Sequence, residues 1–127
     1  AIGAGGADPV PSYAALTEIW DGTSWTEVSD MNEKRMTGVG FGITTSLIAT
    51  GSDPQGDPPR ASTELWDGTS WSQLTATIST DNKSQMSSGG ANAATGVIFG
   101  GRTPPSNVQS STEEWTADLS NKTITSS

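Results

Sequence analysis

The side chains able to do chemistry in this chain are mostly carboxylates and indoles. There are 14 Asp and Glu against six Lys and Arg, five Trp, and neither His nor Cys. Without imidazole or thiol there is no Ser-His-Asp triad, no thiolate nucleophile and no His- or Cys-ligated zinc. Paired acids such as Glu18 with Asp21, or Glu113 with Glu114, have the form used in glycoside hydrolysis, one carboxyl as acid and one as base or nucleophile. Glu18 recurs, however, as Glu64 and Glu113, and Asp21 as Asp67. A catalytic pair breaks the symmetry of a repeat, whereas an acid present once per repeat serves the scaffold. No catalytic residue is expected. Gly3-Ala4-Gly5-Gly6 has the look of a phosphate loop, but Ala7-Asp8-Pro9 follows it, so no helix N-terminus meets the anion. Asp53 and Asp57 flank Pro54 at a spacing that is not a calcium-binding EF-hand loop. Neither metal nor cofactor is expected. The formal charge of −8 disfavours a nucleic-acid partner, because six cations cannot neutralise a run of phosphates.

The acids belong to a repeated phrase. Thr17-Glu18-Ile19-Trp20-Asp21-Gly22-Thr23-Ser24-Trp25 returns 46 residues later as Thr63-Glu64-Leu65-Trp66-Asp67-Gly68-Thr69-Ser70-Trp71, identical at eight of nine positions. A degraded third copy starts 49 residues further on, at Thr112-Glu113-Glu114-Trp115. The preceding stretches correspond too: Ser46 to Gly51 matches Thr95 to Gly101, and Gly5-Gly6 closes an equivalent strand before the first copy. A period of this length, with short apolar runs and no helical periodicity, predicts four-stranded propeller blades.

Each phrase predicts a hairpin. Asp-Gly between two aromatics is a turn signal, since Gly accepts positive φ and Asp tolerates it. The Thr, Leu and Trp on either side suit a pleated, half-buried surface. Leu47 to Ala49 and Val97 to Phe99 are glycine-bounded and too short for a helix, so they read as buried strands. Gly38, Gly40, Gly42, Gly89 and Gly90 fall where innermost strands crowd an axis. Leu, Ile, Val and Phe total 19 of 127 residues, while Ser and Thr total 36 and Gly 15. That composition approaches the disordered range, and the repeat reconciles it with a fold: thin blades pack through Trp20, Trp25, Trp66, Trp71 and Trp115. No stretch approaches 18 apolar residues, so no helical membrane insertion is expected.

The chain resembles the kelch family of β-propellers. Gly100-Gly101 matches that family's diglycine, Trp20-Asp21 and Trp66-Asp67 stand where it usually has Tyr-Asp, and Trp25 and Trp71 match its later Trp. Met31-Asn32-Glu33-Lys34-Arg35 matches its Met-x-x-x-Arg step. The middle copy has Gly51-Ser52 for the diglycine, the segment from Ile78 to Lys83 lacks Met-x-x-x-Arg, and the last copy lacks a second Trp. The resemblance implies an all-β chain of kelch-like β-propeller blades, each a four-stranded antiparallel sheet, with about two and a half to three blades present. The expected divisions are a partial first blade at 1–30, a second at 31–77 and a terminal third at 78–127. Closed propellers need four to eight blades, so the expectation is the C-terminal part of a longer propeller.

Three loops break the repeat: Ala7 to Tyr13, Ser52 to Arg60 and Arg102 to Ser110. They hold all seven prolines and lie on one face by symmetry. Variable loops on a rigid repeat are where recognition resides, which makes Asp53, Asp57, Arg60, Arg102, Asn107 and Gln109 the candidate contact residues. The repeat wording looks most like kelch-like proteins of tailed bacteriophages, particularly marine ones. That implies a non-enzymatic virion appendage, a fibre, tail or capsid decoration outside the cell, with other virion proteins or further blades and a host-surface protein or glycan as partners. A bacterial protein- or glycan-binding module is the alternative.

Overall fold

The computed structural model describes residues 1–8, 12–52, 61–79, 85–103, 106–117 and 122–126, and every regular element among them is a β-strand. In chain order these are β1 (Ile2–Ala4), β2 (Ala7–Asp8), β3 (Ser12–Tyr13), β4 (Thr17–Trp20) and β5 (Trp25–Glu27), then β6 (Val39–Ile43), β7 (Ser46–Thr50), β8 (Thr63–Trp66) and β9 (Trp71–Leu74). The last group is β10 (Ser87–Asn92), β11 (Thr95–Phe99), β12 (Arg102–Thr103), β13 (Asn107–Val108), β14 (Thr112–Ala117) and β15 (Lys122–Ser126). They build three antiparallel blades: β1-β4-β5, β6-β7-β8-β9 and β10-β11-β14-β15. Small hairpins, β2-β3 and β12-β13, project from the first and third.

The repeated phrase sets the register. Trp20 faces Trp25 across the β4-β5 hairpin and Trp66 faces Trp71 across β8-β9. The two indole pairs have nearly the same geometry, at 5.6 Å and 44° and at 5.5 Å and 45°. In the third blade Ile124 stands opposite Trp115, so the missing second Trp is replaced by a β-branched residue without losing the pairing. Gly22 and Gly68 carry φ of 113° and 100° in the turns, a region open to glycine at little cost.

Neighbouring blades meet through two apolar clusters. Between the first and second lie Met31, Ala49, Trp66 and Trp71, with Ile2, Ala15, Ile19, Val28 and Leu47 packed against them. Between the second and third lie Phe41, Ile48, Ala61, Ile78, Met86, Ala93, Ile98 and Trp115. Burying an aliphatic side chain such as Ile48 or Ile98 stabilises by roughly 1.5–3 kcal/mol, so a few residues per interface suffice. The Phe41 ring meets Trp115 edge-on at 6.4 Å. A Cβ added at Gly90 would stand 2.8 Å from Phe41 Cδ2, and one at Gly96 would collide with the Cε2, Cδ2 and Cζ atoms of the same ring.

The expected crowding of glycines holds for most positions, since a Cβ at Gly38 or Gly40 would come within 2.7 or 2.9 Å of a carbonyl on the neighbouring strand. Gly89 is the exception, with open space around it, because the strand is irregular between Gly89 and Asn92. Leu47 to Ala49 and Val97 to Phe99 are the second strand of their blades, and Phe99 is exposed. The segment from Ile78 is also closer to its counterpart than its sequence suggests. The Ile78 amide donates to Ala61 O as the Met31 amide does to Ala15 O, so a branched aliphatic residue takes the methionine's place.

Candidate recognition site

The hairpin between the second and third strands of the last blade begins at the diglycine. Gly100 and Gly101 have φ of 67° and 101°, which turns the chain out of β11. Gly100 N then donates to Ser111 O and Gln109 N to Gly101 O, closing the base of a projecting ribbon. In the ribbon Arg102 pairs with Val108 and Thr103 with Asn107. Arg102 and Asn107 are exposed, and Val108 presents an apolar side chain that is 75% accessible. A guanidinium, an amide and a bare isopropyl group on one short ribbon can grip a polar ligand with an apolar patch, such as a sugar or a peptide. Gln109 has a different task. Its Nε2 donates to Thr103 Oγ1 at 3.0 Å and to Asn107 O, so this half-buried side chain shapes the ribbon that the other two occupy.

The first blade builds the same device. Gly5 and Gly6 have φ of 76° and 124°, and Ala7 then pairs with Tyr13 and Asp8 with Ser12. In the middle blade Gly51 keeps a φ of 69°, while Ser52 stands where the others have a second glycine. Its buried hydroxyl accepts a hydrogen bond from Met36 N and donates to Met36 O, each at 3.2 Å, so the serine replaces conformational freedom with two tethers. Asp53, Asp57 and Arg60 lie outside the described residues. Alternating strand direction sends all second-to-third connections to the same end of their blades.

Beneath the loops, two of the recurring acids, Glu64 and Glu113, are occupied internally, while Glu18 is exposed. Glu64 is fully buried. Its carboxylate accepts the backbone amides of Asn32 and Glu33 at 2.7 and 3.0 Å, the Asn32 side-chain amide at 2.9 Å and an Arg35 guanidinium nitrogen at 3.1 Å. Arg35, itself buried, also donates to Gly51 O and Ser62 O. The Met31-to-Arg35 step is therefore the strap by which the chain enters the second blade, and Glu64 is its anchor. Glu113, equally buried, accepts the Ser79 amide at 2.8 Å where the strap enters the third blade. The sequence carried a signal for this pairing, since the acid recurs at a fixed place relative to the Trp and Arg35 closes the Met-x-x-x-Arg step; it did not show that they meet.

The remaining repeat residues divide by blade. Asp21 Oδ1 accepts the amides of Thr23 and Ser24, and Asp67 Oδ1 those of Thr69 and Ser70. These bonds, the Ser24 and Ser70 amides foremost, hold both carboxyls below the usual aspartate value. Trp66 and Trp115 are buried and their indole N–H groups donate to Thr44 O and Ala93 O, tying each to its blade's first hairpin. Trp71 is buried and donates to Thr17 Oγ1 of the preceding blade at 2.9 Å. Trp25 departs from the expectation that all these indoles pack between blades: it is 52% exposed, because its outward face meets no other blade among the described residues.

The fold is thus all-β, with blade-like antiparallel sheets set side by side around their glycine-rich first strands. No family model matches this chain, and no curated protein does. Solved structures do match. One is the structure of YjhT, similar over 89% of this chain with a TM-score of 0.68 and 14% identity. At that identity the likeness concerns the fold alone. The chain corresponds to 38% of the length of that structure.

Proposed function

We propose that this chain is a segment of a kelch-like β-propeller that works by display: its blades hold the second-to-third-strand ribbons in fixed positions to bind a surface glycan or protein, and it catalyses no reaction. The observation that carries this reading is the pairing, in the ribbon built on Arg102–Thr103 and Asn107–Val108, of a tied base with exposed side chains. Gln109 and the diglycine lock the ribbon's shape, and Arg102, Asn107 and Val108 are left facing solvent. Support also comes from the acids. The two fully buried ones, Glu64 and Glu113, are spent on backbone amides, and the sequence contains no His or Cys to take over acid–base or nucleophilic work. The wording of the repeat favours placement on a phage fibre, tail or capsid, with the ribbons turned to the host surface.

A glycan array and whole-cell binding assay, run on the complete protein and on a variant carrying Arg102→Ala and Asn107→Ala, test the reading. The expected result is binding that falls at least tenfold in the variant while thermal stability is unchanged. Binding equal in the two proteins would move recognition off this ribbon, and absence of binding to any cell surface or glycan would remove the function.

A further inference from the structure

Three consecutive strap residues, Arg35 to Thr37, bring together parts of the chain that belong to different blades. The Arg35 backbone serves the first blade. Its amide donates to Ala14 O at 3.0 Å and its carbonyl accepts the Gly6 amide at 2.8 Å, in an antiparallel bridge at the foot of the β2-β3 ribbon. The approach is close, since a Cβ on Gly5 would stand 2.7 Å from Arg35 O. Arg35 is 3% exposed, and its side chain serves the second blade. Nη1 donates to Gly51 O at 3.1 Å and to Ser62 O at 3.0 Å, the two residues where the second connection leaves β7 and rejoins β8. Nη2 donates to Ser62 Oγ and to Glu64 Oε1, each at 3.1 Å. Glu33 accepts that same Ser62 hydroxyl and the side-chain amide of Gln73. The Ser52 hydroxyl bonds both the amide and the carbonyl of Met36. Thr37 then takes a φ of 58°, a region costly for a β-branched residue, which persists only where the surroundings fix it. Its carbonyl accepts the Gln85 amide at 3.1 Å, and Gln85, at a φ of 52°, makes the same turn ahead of β10.

Resting on the display reading above, we infer that Arg35 is a positioning residue for recognition: it joins the feet of the first and second connections into one cooperative unit, so that a displacement at either is carried to the other. The reason lies in the two kinds of bond that one residue makes. Its backbone bonds to Gly6 and Ala14 set the path of the strap. Its guanidinium then fixes Gly51, Ser62 and Glu64 relative to that path, through donors held in a planar fork that a single ammonium lacks. Both sets are made at a buried residue, where a hydrogen bond is stronger and an unmade one costs more than in water. Neither foot shifts without opening bonds at the other. A partner that touches one connection therefore meets a second whose place is already fixed, which lowers the ordering cost of binding both. The strap that enters the third blade, residues 78–86, contains no arginine, so the third ribbon is not joined to the second by the same device.

Amide hydrogen exchange on the full chain, read residue by residue by NMR, tests the coupling without any ligand, so its outcome is separate from that of the binding assay above. The reporting amides are Gly6 and Ala14 at the first foot and Met36 at the second. Val28, Asp67 and Gln109, whose amides are bonded away from the junction, serve as references. Ser62→Ala cuts the junction in the second blade and leaves Gly6 and Ala14 their own bonding partners. It is expected to speed exchange at Gly6 and Ala14 roughly tenfold relative to the references, the equivalent of about one hydrogen bond to a charged group. Arg35→Lys keeps a positive charge beside Glu64 and is expected to show the same selective loss, because an ammonium does not span both legs of the connection. Exchange that rises equally at the references would make the junction an ordinary source of stability. Exchange that rises at Met36 but not at Gly6 and Ala14 would leave the two connections independent, and full protection in Arg35→Lys would give the effect to charge rather than to the fork. Each of these three results overturns the inference.

Discussion

The first and second blades carry nearly the same nine-residue phrase and use it in opposite ways. Trp71 is 7% exposed and Trp25 is 52%; Glu64 is buried under four hydrogen bonds and Glu18 is open to water; Trp66 is 1% exposed and Trp20 is half-buried. Yet the hairpins themselves are nearly superposable, with the same indole geometry, the same aspartate bonds and the same positive φ at glycine. The phrase encodes the local turn completely. Its energetic weight is set by what lies on the other side of the sheet.

The largest contrast lies in the inner indole. Trp66→Ala should destabilise the chain by about 3–5 kcal/mol, the range for deleting a buried aromatic, while Trp20→Ala should cost less than half as much in the same urea titration. Equal losses would mean that the two blades are not differently packed. Next comes the acid. Glu64→Gln removes the charge that draws Arg35 and two amides together and should cost about 1.5–3 kcal/mol, whereas Glu18→Gln should stay within roughly 0.5 kcal/mol of the parent. A double-mutant cycle with Arg35→Met would sharpen this by isolating the ion pair.

The smallest effect is one in which the two blades should agree. The turn aspartates have carboxyls held below their ordinary value of 3.8 by the amides they accept. A depressed native pKa gives stability that is fully present above the unfolded value and is lost as pH falls through the native one. Asp21→Asn and Asp67→Asn should each lower the neutral plateau of the stability–pH curve by the same small amount and leave stability well below about pH 4 nearly unmoved, so that the acid limb is flatter. A difference between the two variants there would show that the turns, too, feel the neighbouring blade.

How much of this was legible in the sequence follows the same division. Everything within the phrase could be read in advance, from the strands on either side of Asp-Gly to the register of the tryptophans, because turn chemistry and pleat are local. The scaffold role of the repeated acids could be inferred from their period, but not that Glu64 anchors the entering strap, since its partners Asn32, Glu33 and Arg35 stand about thirty residues away and the Met-x-x-x-Arg step does not say which acid it meets. The exposure of Trp25 was illegible for a related reason: the phrase from Trp20 to Trp25 is identical to that from Trp66 to Trp71. Among the candidate contact residues, Arg102 and Asn107 lie on the ribbon where their loop position suggested. Gln109 was indistinguishable from them by type, and only the geometry assigns its amide to the ribbon's own frame.

The Phe41 ring has a consequence for how such a chain can change. It is a key cut for one neighbour: it fits the third blade because Gly90 and Gly96 leave room, and the second blade presents Leu47 at the place of Gly96. The blades are therefore ordered parts rather than interchangeable copies. A duplication that set the second blade in front of another of itself would drive a phenyl ring against a leucine, so growth or reshuffling of this array by whole repeats demands a matching change in the blade that follows.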